Sequence, residues 1–311
     1  MLLNVLCAET EANWPKWKSH LTNALGDLKV DARVHRNFED HAADVIVYSP
    51  KSGLDDFRPF TRLQAVLSTW AGVERITPNP TLTVPLTRMV DPGLTKGMVE
   101  YCLGHILRYH LNLDAHSGRT DTRWQPELMP PLASSRRVGV LGLGALGQAV
   151  AEAARDLGFD VSGWSRSEKL VDGVTCLHGN PGFRQVLSRS EILITLLPLT
   201  DATHNILGSD AFSAMPEGAC IVNPGRGPLI VDEDLVAALD QGQIGHATLD
   251  VFRIEPLPED HIFWRHPNVT VTPHIAAETR VETASLVIAD NIARVARGEP
   301  LKYLVDRATG Y

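Results

Sequence analysis

The chain has 311 residues, 44% hydrophobic and 21% charged, so it can bury a large core, and its length suits two domains better than one. Lys plus Arg number 29 against 37 Asp plus Glu, a formal charge of −8 at pH 7, which argues against nucleic acid or another polyanion as the main partner. The cysteines, Cys7, Cys102, Cys176 and Cys220, form no CxxC pair and do not cluster with histidine, so neither zinc nor a disulfide framework is expected and a reducing cytoplasm fits.

The amino-terminal MLLNVLCAETEANW has no basic n-region, and no later run approaches about eighteen apolar residues, so no membrane association is expected. LLNVLCAE, VDARVHR, DVIVYSP and LQAVLSTW are short apolar runs separated by polar or helical stretches such as WPKWKSHLTNALG. That is the alternation of β/α units on a mostly parallel sheet. Residues 97 to 113, GMVEYCLGHILRYHLNL, predict a helix, and residues 117 to 136 read as a polar, proline-containing passage between domains. A second alternating series follows: RVGVLGLG, FDVSGWS, EILITLLP, GACIVNPG, HATLDVF and NVTVTPH, with helices such as ALGQAVAEAARDLG and DEDLVAALDQG between them. It predicts a six-stranded doubly wound sheet. A long amphipathic helix, TRVETASLVIADNIARVARGEP, ends at Gly298.

RVGVLGLGALGQAVAEAA joins a strand to a helix through Gly142, Gly144 and Gly147 in G-x-G-x-x-G spacing. The glycines allow a tight turn and close approach of backbone to a pyrophosphate, with the helix N-terminus facing its charge. The bland alternative is a glycine-rich connection with no ligand. About twenty residues on, where the fingerprint places an acid for the ribose 2′-hydroxyl, stand Ser165 and Arg166. An acid would repel a 2′-phosphate, whereas a hydroxyl and a guanidinium donate hydrogen bonds to it, which points to NADPH (NADP) over NADH. Ser167 and Lys169 add donors, and the alternative is a solvated surface charge at Arg166.

CIVNPGRGPLIVDEDL, ATLDVFRIEPLP and VTVTPHIAAETR place Arg226, Asp250, Glu255 and His274 where strands meet loops, which is where ligands bind in open α/β sheets. The ordered set GLGALG, NPGRG, DVFRIEPLP and TPHIA resembles the D-isomer-specific 2-hydroxyacid dehydrogenase family over essentially the whole chain. GWSR, LQAVLSTWAGVERI and the terminal VDRATGY are most similar to its glyoxylate/hydroxypyruvate reductase A group.

The resemblance implies an α/β protein of two Rossmann-like domains with an active-site cleft between them. One is a flavodoxin-like substrate domain, residues 1–101 completed by 284–311; the other is a doubly wound NAD(P)-binding domain, 102–283. Two crossing segments would form a hinge that closes over the substrate. His274 would be the general acid, Glu255 would hold and charge its imidazole, and Arg226 would bind the carboxylate and polarise the carbonyl. These roles suit a reaction that builds negative charge on the carbonyl oxygen as hydride arrives. Backbone N–H groups of Ala71, Gly72 and Val73 would cradle the substrate carboxylate, with Trp70 capping the pocket. Ala145, Leu146, Leu197, Pro198, Thr203, Pro224, Gly225, Asp250, His274 and Arg226 join the glycines and the Ser165–Lys169 donors as the expected cofactor site. No metal is expected.

The implied substrates are small 2-keto or 2-hydroxy acids, glyoxylate and hydroxypyruvate first, and the implied assembly is a homodimer through the helix 97–113 and the arm around Trp124. Two departures stand out: Pro224 and Gly225 where the family has a small residue and Ala, and Glu74 where relatives often have Asp. Several alternatives stay open at this level. One is NADH-linked oxidation of another D-2-hydroxy acid. Others are a dinucleotide-sensing, corepressor-like protein and a binding module without turnover. Arg226 can also be read as a surface ion-pair partner, His274 as a satisfied structural histidine and Glu255 as a plain turn residue.

Overall fold

The computed structural model describes residues 2–39, 41–117, 124, 129–307 and 309–310. The chain divides into two compact units, Met1–Leu94 with Glu278–Tyr311, and Thr95–Ala277.

In the first unit, β1 (Leu3–Ala8), α1 (Trp14–Asp27), β2 (Ala32–His35), β3 (Val45–Tyr48), β4 (Ala65–Ser68) and β5 (Leu86–Thr87) follow one another. The strands pair in parallel in the order β2-β1-β3-β4-β5, which is the flavodoxin-like winding. β3 and β4 are wholly buried, as expected for continuous apolar runs in a sheet covered on both faces. Trp17, Leu21, Ala24 and Leu25 form the buried stripe of α1 and join a core with Leu3, Val5, Val45 and Leu67. Each leucine or valine among them, fully buried, contributes about 1.5–3 kcal/mol.

Helix α2 (Pro92–His110) begins where Asp91 Oδ1 accepts hydrogen bonds from the amides of Gly93, at 2.7 Å, and Leu94. The boundary between the units falls inside this helix. The segment 117–136, which the sequence marks as the passage, lies instead within the second unit's range. The physical reason is the buried face of α2: Met98, Cys102 and Ile106 pack into one core with Val138, Val140 and Ala151, so most of the helix belongs to the second unit. The crossings at 94/95 and 277/278 thus fall a few residues before the 101/102 and 283/284 positions expected from sequence. The arm around Trp124 is mostly outside the described residues.

After α3 (Leu113–His116), the second unit runs β6 (Arg137–Leu141), α4 (Ala145–Asp156), β7 (Asp160–Ser165), β8 (Thr175–His178), α5 (Gly179–Arg189), β9 (Ile192–Thr195), α6 (Ser209–Ser213), β10 (Ala219–Asn223), α7 (Asp232–Asp240), β11 (Ile244–Leu249) and β12 (Val269–Val271). The sheet has seven strands where the sequence predicts six, ordered β12-β11-β10-β9-β6-β7-β8. The extra strand is β8, a short, half-exposed edge strand with no apolar run to announce it. Every pairing is parallel, so the carboxyl ends of all the strands lie on one edge, and strand order reverses between β6 and β9.

α8 (Val281–Arg297) rejoins the first unit, burying Ala284, Ile288, Ala289 and Ile292 and ending at Gly298 with a left-handed φ of 67°. Among the described residues no helix is long and apolar enough to cross a membrane.

Candidate active site

The loop between β6 and α4 leads the strand-order reversal. Gly142 has φ 100°, and a Cβ there would come within 2.6 Å of the Leu196 carbonyl oxygen. A Cβ on Gly147 would overlap the Gly142 carbonyl oxygen. These two glycines hold helix to strand. Gly144, by contrast, caps α4 in an extended conformation and a Cβ there would meet only open space. It is the glycine that leaves room for a phosphate at the helix N-terminus, with exposed Ala145 and half-exposed Leu146 beside it. This cradle fits a dinucleotide pyrophosphate.

At the end of β7, Ser165 is buried, and its hydroxyl donates to the Ser167 carbonyl at 2.7 Å. This bond closes the turn. Arg166, Ser167 and Lys169 are exposed on that turn. Thr203, also expected at the cofactor, has its hydroxyl engaged within the β9 loop: it accepts from the Thr200 amide at 2.9 Å and donates to the Pro198 carbonyl at 2.6 Å. Leu197 is in the hydrophobic core, so of the expected β9-loop residues only Pro198 is partly exposed.

Beyond β10, the NPGRG turn is built around Asn223, which is 1% exposed. Its Oδ1 accepts from Thr195 Oγ1 at 2.5 Å and from the Gly225 amide at 3.1 Å, while Nδ2 donates to the Arg226 carbonyl at 3.0 Å. A Cβ on Gly225 would come 2.8 Å from the Thr195 carbonyl oxygen, so the departure at this position matches a backbone path that has no room for a side chain. Arg226 is half-buried after this turn, with Nη1 donating to the Gly225 carbonyl at 2.6 Å.

Beyond β11 and β12, Glu255 accepts from the Phe252 amide through Oε1 at 2.9 Å and meets His274 Nδ1 through Oε2 at 2.8 Å. His274 is 47% exposed and has φ 56°, a left-handed conformation that costs a non-glycine residue about 1–3 kcal/mol. Its amide offsets this by donating to the carbonyls of Asp250, at 2.8 Å, and Thr272, at 3.0 Å. The Asp250 carboxylate, fully buried, accepts from Thr272 Oγ1 at 2.6 Å, from the Ile275 amide at 2.8 Å and from the Ala276 amide at 2.9 Å. Asp250 clamps the loop that carries His274. The Asp250 amide donates to the Asn223 carbonyl at 3.1 Å, which links the His274 loop to the Arg226 turn.

In the first unit, the Trp70 amide and carbonyl are occupied by Ser68 Oγ and the Met89 amide. Ala71 and Gly72 follow, partly exposed, on the loop beyond β4. The Lys51 ammonium lies 5.5 Å over the Trp70 ring, a cation that sequence reading missed because its partner is on the neighbouring strand's loop. Among the described residues no group of three or more His, Cys, Asp or Glu gathers to hold a metal.

A glycine cradle at the strand-order reversal of a doubly wound sheet, followed by a carboxylate–imidazole pair on the same edge, defines a dinucleotide-binding α/β protein equipped for proton transfer. Comparison with known proteins narrows the class. The sequence model of the D-isomer specific 2-hydroxyacid dehydrogenase NAD binding domain matches residues 103–276. Glyoxylate/hydroxypyruvate reductase A of Serratia proteamaculans is 37% identical, over 99% of this chain and 100% of that protein. Among solved structures, a D-isomer specific 2-hydroxyacid dehydrogenase from Xanthobacter autotrophicus Py2 in complex with NADPH and MES has a TM-score of 0.88 at 35% identity, covering 99% of each chain. The NADPH-dependent glyoxylate/hydroxypyruvate reductase of Sinorhizobium meliloti in complex with NADP and sulfate has a TM-score of 0.85 at 32% identity, covering 100% of this chain and 99% of that one. The chain belongs to the D-isomer specific 2-hydroxyacid dehydrogenase family.

Proposed function

We propose that the chain is an NADPH-preferring reductase of small 2-keto acids, converting glyoxylate to glycolate and hydroxypyruvate to D-glycerate. The observation that carries this reading is the 2.8 Å pair of Glu255 and His274 beyond the carboxyl ends of strands that also carry the glycine cradle. The names of the similar proteins, and the NADPH or NADP held by two of the solved ones, support the substrate class and the cofactor.

The turn from Gly142 to Gly147 and the N-terminus of α4 would hold the pyrophosphate, and Arg166, Ser167 and Lys169 the 2′-phosphate. The bound nicotinamide supplies hydride chemistry. The chain supplies the rest. His274 carries the proton for the carbonyl oxygen on Nε2, because Glu255 occupies Nδ1 and fixes the ring. Arg226 binds the carboxylate and polarises the carbonyl, and the amides of Ala71, Gly72 and Val73 add an anion-binding turn. A homodimer would form through the helix 97–113 and the arm around Trp124, and the protein would work in the cytoplasm.

A His274→Asn variant tests the assignment, since Asn tolerates the left-handed backbone. It should still bind NADPH through the glycine cradle while keto-acid reduction falls by roughly 10²-fold or more. Reduction at the parent rate would contradict it.

A further inference from the structure

We infer that Tyr101 is a positioning residue for His274, acting from α2 through Thr272 and Asp250; the inference rests on the proton-donor reading of His274. Tyr101 OH lies 2.8 Å from Thr272 Oγ1, and Thr272 Oγ1 lies 2.6 Å from Asp250 Oδ1. The direction of the chain follows from proton inventory. Thr272 Oγ1 donates its single hydrogen to Asp250 Oδ1, so the phenol must donate to Thr272. Burial raises the affinity of the Tyr101 oxygen for its proton, which keeps it a donor. The His105 ring, tilted at 4.6 Å from that of Tyr101, holds the phenol in place, and His105 itself meets Thr248 Oγ1 at 3.3 Å.

The chain ends on the backbone of the catalytic loop. Asp250 receives the amides of Ile275 and Ala276 on its carboxylate and that of His274 on its carbonyl. Thr272 contributes both its hydroxyl to the carboxylate and its own carbonyl to the His274 amide. The left-handed φ of His274 is therefore held from both sides by groups whose geometry is set by Thr272 and Asp250, and Tyr101 fixes the hydroxyl rotor of Thr272. A buried carboxylate with a full set of donors orients its loop much as outer partners orient a ligating histidine. Without the phenol hydrogen, the Thr272 hydroxyl keeps its donor bond but loses its second partner, and the imidazole drifts from its proton-donating geometry.

Tyr101→Phe and Thr272→Ser, with Thr272→Val as the severe variant, test this in two ways. Hydrogen exchange of the cofactor-free protein should accelerate over residues 274–276 in Tyr101→Phe and Thr272→Val and stay at the parent rate in Thr272→Ser. In glyoxylate reduction, Tyr101→Phe should lose roughly tenfold in kcat with the KM for NADPH unchanged. The double variant Tyr101→Phe with Thr272→Val should be no slower than Thr272→Val alone, because both cut one chain. Parental exchange at 274–276 in Tyr101→Phe, or parental kcat, would overturn the inference. A parent that reduces no 2-keto acid would instead overturn the functional reading, while the exchange measurement would still decide whether the chain holds the loop.

Discussion

Glu255 Oε2 stands 2.8 Å from Nδ1 of His274, which leaves Nε2 as the ring nitrogen that can face a substrate. Nineteen residues separate the two, and each is fixed independently: Glu255 by the Phe252 amide, His274 by the Asp250 clamp. The first prediction follows from this pair. Glu255→Gln keeps the shape but removes the charge and leaves one acceptor oxygen for the two groups that Glu255 serves, the Phe252 amide and the imidazole, so kcat/KM for keto-acid reduction should fall by roughly 10²-fold, about 2.7 kcal/mol of transition-state stabilisation. Steady-state kinetics with unchanged NADPH binding would show it.

Arg166, exposed on the β7 turn, would select the phosphorylated cofactor. Arg166→Ala should raise the KM for NADPH by roughly ten- to a hundredfold, the worth of one or two charge-assisted hydrogen bonds, and leave the KM for NADH nearly unchanged. Equal losses with both cofactors would assign Arg166 a different role.

Gly147 and Gly144 of the cradle should separate by experiment. Gly147→Ala drives a methyl into the Gly142 carbonyl and should lower stability by about 1–3 kcal/mol, read as a drop in Tm. Gly144→Ala points into open space and should leave Tm unchanged while weakening NADPH binding in a fluorescence titration.

Lys51 places its ammonium 5.5 Å over the ring of Trp70, the residue that precedes Ala71 and Gly72. Lys51→Met should raise the KM for glyoxylate by roughly two- to fivefold without changing kcat, as for an exposed charge contact. The difference should shrink as salt is raised to about 1 M.

Stability should fall on the acid side. Burial, with the charge of Arg108 adding to it, pushes the His246 imidazole from 6.5 down to about 4. His105 and His110 are lowered too, again chiefly by burial. The folded chain thus stays neutral at His246 where the unfolded chain protonates, so the unfolded chain binds more protons between pH 6.5 and about 4. The His246 contribution is fully present above that window and is lost as pH drops through it. His246→Gln, which can still bond Thr270, should show a smaller loss of Tm between pH 7 and pH 5 than the parent.

The apolar runs of β1, β3, β4, β6, β9 and β10 made both sheets legible, because strands buried on two faces need such runs. β8 escaped notice because an exposed edge strand does not. The pairing of His274 with Glu255 was legible from ordered motifs, and the glycine spacing located the cradle. What sequence did not separate is a polar side chain that faces a ligand from one that ties its own loop. Asp250, Thr203 and Ser165 have the residue types of a binding site, yet their polar atoms are engaged within the loops they shape. The Tyr101–Thr272 contact spans 171 residues and has no local signal at all.

The most direct measurement is oxidation of NADPH and of NADH by the purified chain with glyoxylate and with hydroxypyruvate, at matched concentrations. The account predicts turnover of both acids with a kcat/KM at least roughly tenfold higher for NADPH, the effect of one charge-assisted contact to the 2′-phosphate. Turnover that favours NADH would contradict the role of the Arg166 turn, and no turnover of either acid with either cofactor would contradict the proposed function itself.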